Sequence, residues 1–313
     1  MTTNPRAKSA CAIGVDVGGT KIAAGVVTFP DGKVHVRSII PTLPKRGGEA
    51  VLTDVERLAS QLTAEARSLD LHIDGIGVGV CEIVDLSGRV ASENCILWRK
   101  EPVWERLSRM APTIIEADVR AAARAEALFG AGRGARVFLY VTIGTGIASC
   151  LVIDGHPFAG ARGATGTMAS GPLPDCGKMR NEVMPASLEE FGAGPALVRR
   201  FKSLQGSAQS GQDVLAAASQ GNTRAVEVVR TAAEALGASI GTLINILDPE
   251  LVVLGGGLGL SEGLYRETLI NSARRHIWWE GHRDVPIVPA VTGTDAGIIG
   301  AAATVCNGDE VDR

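Results

Sequence analysis

Several features are scarce or missing in this 313-residue chain, and each absence closes off a class of reading. Aromatic residues make up only 4% of it, so the core must be filled by aliphatic and small side chains. No apolar run reaches the ~18 residues that a membrane-spanning helix needs, and the polar stretch Met1 to Ser9 is too short for a secretory leader. A cytoplasmic protein with no membrane partner is expected. Long runs of one charge are also missing: 31 Lys and Arg stand against 34 Asp and Glu, for a net charge of −3. That balance gives no footprint for nucleic acid and favours a small-molecule ligand. The six cysteines, Cys11, Cys81, Cys95, Cys150, Cys176 and Cys306, never form a CxxC pair, and buried reduced thiols are expected.

Glycine, by contrast, is abundant at 39 residues, and its placement is informative. Ala12 to Val27 reads as strand, glycine turn, strand, because apolar and β-branched residues flank Gly18-Gly19 on both sides. Val137 to Ile153 repeats the theme around Gly144-Thr145-Gly146, about 125 residues further on. The duplication predicts two related α/β halves with one glycine-turn hairpin each. Between and after them, helical periodicity covers 49–69, 119–129, 188–202, 224–247, 264–275 and 296–305, while 73–80, 251–254 and 286–291 read as strands. The segment 156–187, rich in Gly and Pro without periodicity, reads as a long loop where a substrate lid could sit.

The turn Asp16-Val17-Gly18-Gly19-Thr20-Lys21 has the makings of a phosphate site, since glycines let backbone N–H groups approach an anion and Thr20 and Lys21 add a hydroxyl and a charge. Asp16 at the strand end could hold Mg²⁺ through water. By itself the turn is equally readable as a structural hairpin. It is neither a GxxxxGK[ST] loop nor a GxGxxG turn before a helix. Pairing with Gly144, Thr145 and Gly146 strengthens both turns, because two such turns on two halves can clamp a polyphosphate for phosphoryl transfer. Asp118, ahead of an Ala-rich helix, is open to two roles: an N-cap worth about 1 kcal/mol, or a general base that takes the proton of an attacking hydroxyl.

With these pieces in order, the chain resembles the ROK family of repressors, open-reading-frame proteins and sugar kinases over nearly its whole length. The resemblance is carried by Asp16 to Lys21, Glu116 to Ala123, Gly144 to Ile147, Gly160-Ala161, Leu188-Glu189, and Asp248-Pro249-Glu250 with Gly255, Gly256 and Gly257. It implies an α/β actin-like ATPase fold of two RNase H-like domains with mixed sheets flanked by helices. Domains at 1–117 plus 292–313 and at 118–291 would have the active site in the cleft between them. It further implies ATP and Mg²⁺, Asp118 as catalytic base, Gly144 to Gly146 on phosphate, Gly255 to Gly257 near the adenosine, Glu189 on sugar hydroxyls, and a homodimer.

Departures from the family pattern concern the acceptor. Ala117 stands where family kinases usually carry an Asn that holds a sugar hydroxyl. Thr167-Met168-Ala169-Ser170 replaces a Glu-x-Gly-His signature, which leaves Thr167 and Ser170 as substitute polar groups. Only Cys176 remains of the cysteines that would complete a zinc site, and one thiol cannot make a four-coordinate site, so no structural zinc is expected. Cys81-Glu82 replaces the usual Pro-Gly, and Glu82 is either a new acceptor contact or an exposed loop residue. Arg120, another position commonly held by Asn, is open to bracing a carboxylate, binding the acceptor or lying solvated on its helix. Together the losses imply a changed acceptor, an amino sugar or a C7 cyclitol of the valiolone or valienone type. An ordinary glucokinase and a non-catalytic sugar-binding regulator are the alternatives. A repressor role is disfavoured, because the roughly eleven residues before the first strand are too few for a helix-turn-helix.

Overall fold

The computed structural model describes residues 10–171 and 187–306. Strands β1 (Cys11–Val17), β2 (Lys21–Thr28) and β3 (Lys33–Pro41) form a meander, followed by α1 (Gly48–Ser68), β4 (Gly75–Val80), α2 (Val103–Leu107), β5 (Thr113–Ala117) and α3 (Asp118–Phe129). Then come β6 (Val137–Ile143), β7 (Ile147–Ile153) and the two-residue β8 (His156–Pro157). The rest is mainly helical: α4 (Leu188–Gly192), α5 (Gly194–Ser203), α6 (Gly211–Ser219), α7 (Thr223–Leu247), β9 (Leu251–Gly255), α8 (Gly256–Gly259), α9 (Leu264–His276), β10 (Ile287–Pro289) and α10 (Ala296–Cys306). Among the described residues, no helix is long and apolar enough to cross a membrane.

Contacts divide the chain into two units. The first gathers the described residues up to Phe129, Ala159–Ala164 and the described residues from Asp295 onward; the second gathers those of Gly130–Phe158 and Thr165–Thr294. Helix α3 thus belongs to the first unit, on the other side of the boundary expected after residue 117. The reason is its packing on α10, so close that a methyl group on Gly300 would overlap the carbonyl of Ala121.

Each unit holds a five-stranded mixed sheet with helices packed on it. The first runs β3-β2-β1-β4-β5, with β1 antiparallel to β2 and parallel to β4, and β4 parallel to β5. The second runs β10-β9-β6-β7-β8, with β6 antiparallel to β7 and parallel to β9. Read from the other edge, β8-β7-β6-β9-β10 has the same pattern of pairings as the first sheet. Two glycine-turn hairpins therefore occupy equivalent places.

The aliphatic composition shows in the cores. Helix α1 turns Val51, Leu52, Val55, Leu58, Leu62 and Ala66 inward at helical spacing, and all six residues of β4 are buried. Small residues bring α10 onto the first sheet: Cβ atoms on Gly14 or Gly77 would collide with the carbonyls of Ile298 or Ala301. In the second unit, α7 buries Val228, Ala232, Leu236 and Ile240 in a core shared with Leu139, Val141, Val252, Leu254 and Leu269.

Candidate active site

In the first unit, register brings the acidic groups to one end of the sheet. Asp16 pairs with Gly79 of β4, and Gly79 pairs with Glu116 of β5. One step further on lie Val17, Val80 and Ala117, and then Gly18, Cys81 and Asp118. The site therefore lies beyond the carboxyl ends of parallel strands, where open α/β sheets place their ligands.

The turn after β1 is closed by Gly18 N–H donating to Lys21 O at 3.0 Å. Buried Thr42 braces it, with Oγ1 donating to Gly18 O at 2.6 Å and N–H to Thr20 O at 3.1 Å. The sequence gives no sign of this brace, because Thr42 lies 24 positions from Gly18 with no motif around it. Since Gly18 N–H is used in the turn, the Gly19 amide is the glycine donor of this turn that no described group occupies. Lys21 is exposed, and its charge favours the ionised form of Asp16.

Asp16 and Asp118 are both half-buried. Removal from bulk water raises the Asp16 carboxyl from the usual 3.8 to about 6, against the pull of Lys21. The same removal from water, then the charge of Asp16, raises Asp118 to about 7, while a hydrogen bond from Val119 N–H to Oδ1 at 2.6 Å works the other way. No hydrogen bond from a described residue reaches Oδ2 of Asp118 or either oxygen of Asp16. Helix α10 begins against Asp16, with a Cβ on Gly297 falling 2.5 Å from Asp16 Cγ. An unpartnered carboxylate of this kind is the donor that a hydrated hard divalent cation takes. Asp16 fits Mg²⁺ in that sense.

Glu82 and Arg120 turn out to be braces within the first unit. Glu82 is 5% exposed; its Oε1 accepts from Cys95 N–H at 2.6 Å and Ile96 N–H at 2.8 Å, and its Oε2 from Asn94 N–H at 2.8 Å and from the Ser92 hydroxyl. Both its oxygens are thus engaged by the 92–96 loop. Arg120 is 4% exposed, bonded through Nε to Glu116 Oε1 at 2.5 Å, through Nη1 to Gly163 O at 2.7 Å and through Nη2 to Val84 O at 2.8 Å. It braces a carboxylate, one of the roles open to it, and ties down two loops. Neither side chain is left to meet a substrate.

In the second unit, Gly144 N–H donates to Gly146 O at 2.9 Å, and Gly194 N–H to Gly144 O at 2.8 Å. Glu189 Oε2 accepts from Ile147 N–H at 2.8 Å, so this carboxylate shapes the second glycine turn itself. Gly257 comes within 3.8 Å of where a Gly144 Cβ would stand, and Gln212 Nε2 donates to Gly257 O at 2.7 Å. Gly255 caps the short α8 that Gly256 and Gly257 open. Thr167 and Ser170 are exposed and close a turn through Ser170 N–H to Thr167 O at 3.1 Å. That turn is tied to β7 through Ser149 N–H to Gly166 O at 3.0 Å, and to α4 through Leu188 N–H to Gly171 O at 3.2 Å. Gly144 to Gly146, Gly255 to Gly257, Glu189, Thr167 and Ser170 thus share one unit, and Asp16 to Lys21 with Asp118 share the other. Cys176 lies outside the described residues. Among those residues no group of three or more His, Cys, Asp and Glu side chains is placed to hold a metal ion.

Comparison with known proteins gives one consistent grouping. The profile of the ROK family matches residues 12–307. A glucokinase from Streptomyces coelicolor is 30% identical over 320 residues, covering 93% of this chain and 96% of that protein. An N-acetyl-D-glucosamine kinase from Haemophilus influenzae is 28% identical over 311 residues, covering 93% and 97%. Among solved structures, a ROK family glucokinase from Streptomyces griseus in complex with glucose and AMPPNP superimposes with a TM-score of 0.82 at 27% identity, covering 96% of this chain and all of that one. A ROK hexokinase from Thermus thermophilus superimposes with a TM-score of 0.75 at 31% identity, covering 93% and 96%.

Proposed function

The chain belongs to the ROK family, and from that membership we propose that it transfers the γ-phosphoryl group of ATP to a primary hydroxyl of a hexose-like acceptor other than plain glucose, an amino sugar or a C7 cyclitol. The kinase reading rests on Asp118, a half-buried carboxyl near pKa 7 with Oδ2 unengaged. A base with its pKa near the working pH can take a hydroxyl proton and still be regenerated. The acceptor oxygen attacks the γ-phosphorus as its proton passes to Asp118 Oδ2, and the bond from phosphorus to the bridging oxygen of ADP breaks. Backbone N–H groups of Gly19 and Gly146 orient phosphate oxygens, with Thr20, Lys21 and Thr145 beside them, and Gly255 to Gly257 take the adenosine side. Asp16 would hold Mg²⁺ through water, and the ion would supply charge neutralisation at the phosphates.

The acceptor reading rests on Ala117 before the base and on Thr167 and Ser170 in the turn packed on α4, because a site whose polar groups are changed selects a ligand with a different hydroxyl pattern. A plain hexose acceptor is the second reading, favoured by the glucokinase relatives and by the retained Glu189. One experiment separates them: ATP consumption with hexoses, amino sugars and cyclitols, for wild type and Asp118→Asn. The expected result is the highest kcat/KM on an amino sugar or cyclitol, and a kcat about 10²–10⁴-fold lower in the variant. Glucose as best acceptor establishes the second reading, and near-normal kcat in Asp118→Asn removes the base.

A further inference from the structure

Two thiols stand beside the proposed base. Cys81 directly follows β4, and its N–H donates to Val17 O at 3.1 Å, which sets it next to Gly18. Cys95 is brought to the same place from the other side: Glu82 Oε1 holds its N–H at 2.6 Å, and a Cβ on Gly19 would stand 2.5 Å from its Sγ. Cys95 is exposed and Cys81 is half-buried. Neither thiol has a part in the phosphoryl transfer described above.

We propose that Cys81 and Cys95 form an oxidisable dithiol at the floor of the acceptor site, which takes a hydroperoxide and closes as a disulfide that stops turnover. The thiolate of exposed Cys95 attacks the distal peroxide oxygen; the O–O bond breaks, the alkoxide leaves as alcohol with a proton from solvent, and Cys95 becomes a sulfenic acid. Cys81 sulfur then attacks Cys95 sulfur, the S–O bond breaks, and hydroxide leaves with the Cys81 proton as water. Two thiols and one hydroperoxide yield one disulfide, one alcohol and one water. The order follows from the surroundings. Its hydrogen bond to Cys95, then burial and the Asp118 charge, hold the Cys81 thiol protonated far above the usual range, so Cys95, on the more exposed residue, reacts first and Cys81 resolves. Closure locks the 92–96 loop to the end of β4 beside Gly19, where on the kinase reading the acceptor hydroxyl and the phosphates meet.

Only the effect on turnover rests on the kinase reading; the bond itself does not. Trypsin cuts after Arg67, Arg89 and Arg99, so the two cysteines fall on separate peptides. The full chain is treated with hydrogen peroxide, remaining thiols are alkylated after denaturation, and the digest is weighed. The expected product is one cross-linked pair, Ser68–Arg89 with Val90–Arg99, lighter by two hydrogens than the sum of its reduced peptides and separated by dithiothreitol. Loss of turnover on the best panel acceptor should follow the same time course and reverse with it. Cys95→Ser and Cys81→Ser should each abolish the cross-link. Cys81 and Cys95 recovered as separately alkylated peptides, or Cys95 joined to Cys176, overturns the proposal, as does a complete cross-link with unchanged turnover. If the cross-link forms in a chain that phosphorylates nothing on the panel, the dithiol stands and the kinase reading falls.

Discussion

Asp118 and Arg120 lie two positions apart on α3, and their surroundings give them opposite work. Asp118 keeps one oxygen unengaged and its pKa high; Arg120 has every nitrogen of its guanidinium bonded. Arg120→Ala would leave Glu116 without its cation and two buried carbonyls without donors. Breaking one partner of a buried ion pair costs about 3–5 kcal/mol, and the expected result is a stability loss of that order in urea unfolding. A loss under about 1 kcal/mol would show that the clamp is not formed in solution. Asp118 was legible as a candidate because acid, apolar strand and Ala-rich helix are contiguous. The partners of Arg120 were not: Val84 and Gly163 lie 36 and 43 positions away in the chain, and no local pattern announces them.

At the scale of elements, the least regular stretch of the first unit is the one nearest the site. Between β4 and α2 the chain is held by Glu82 at one end and, further along, by buried Trp98, whose Nε1 donates to Gly48 O at 2.8 Å. Glu82→Gln replaces one acceptor oxygen with a donor that must face two other donors, so the 92–96 loop should detach on that side. The acceptor KM is expected to rise severalfold with little change in the KM for ATP. Equal change in both would mean that the loop positions the nucleotide turn instead. Periodicity foresaw the long elements well, including α1, α7, α9 and both hairpins, because each carries a continuous apolar stripe. Strand β3 was not foreseen, although its exposure alternates residue by residue; none of its residues is fully buried, so no continuous apolar run marks it. The single helix expected over 188–202 is broken at Ala193, where the extended backbone before Gly194-Pro195 starts α5 afresh. Helix α6, started by the Ser210–Asp213 capping box, was short enough to pass as loop.

For the whole molecule, the doubled glycine turn carried most of the architecture: two units with matching strand order are what that repeat implied, and the actin-like fold follows with the family. The cost of assembling the site should appear in the stability of the whole chain. Asp16 and Asp118 have folded pKa values of about 6 and about 7, above the usual 3.8. Between pH 4 and pH 7 the folded chain therefore holds protons that the unfolded chain has released, so stability falls as pH rises. Their stabilising share is complete below about pH 4 and is lost as pH passes through 6 and 7. Asp118→Asn cannot ionise. Its Tm should match the wild type near pH 4 and exceed it by several degrees at pH 8, with the gap opening through that window. Asp16→Asn should open a similar gap and also lower the pKa of Asp118, since the Asp16 charge is the second cause of its rise. The double variant should accordingly gain less than the sum of the two. Thermal melts at pH 4, 5, 6, 7 and 8 for the four proteins decide the matter. A gap that stays constant from pH 4 to pH 8 would mean that these carboxyls titrate normally, and with that the physical basis for Asp118 as a base near neutrality would be gone.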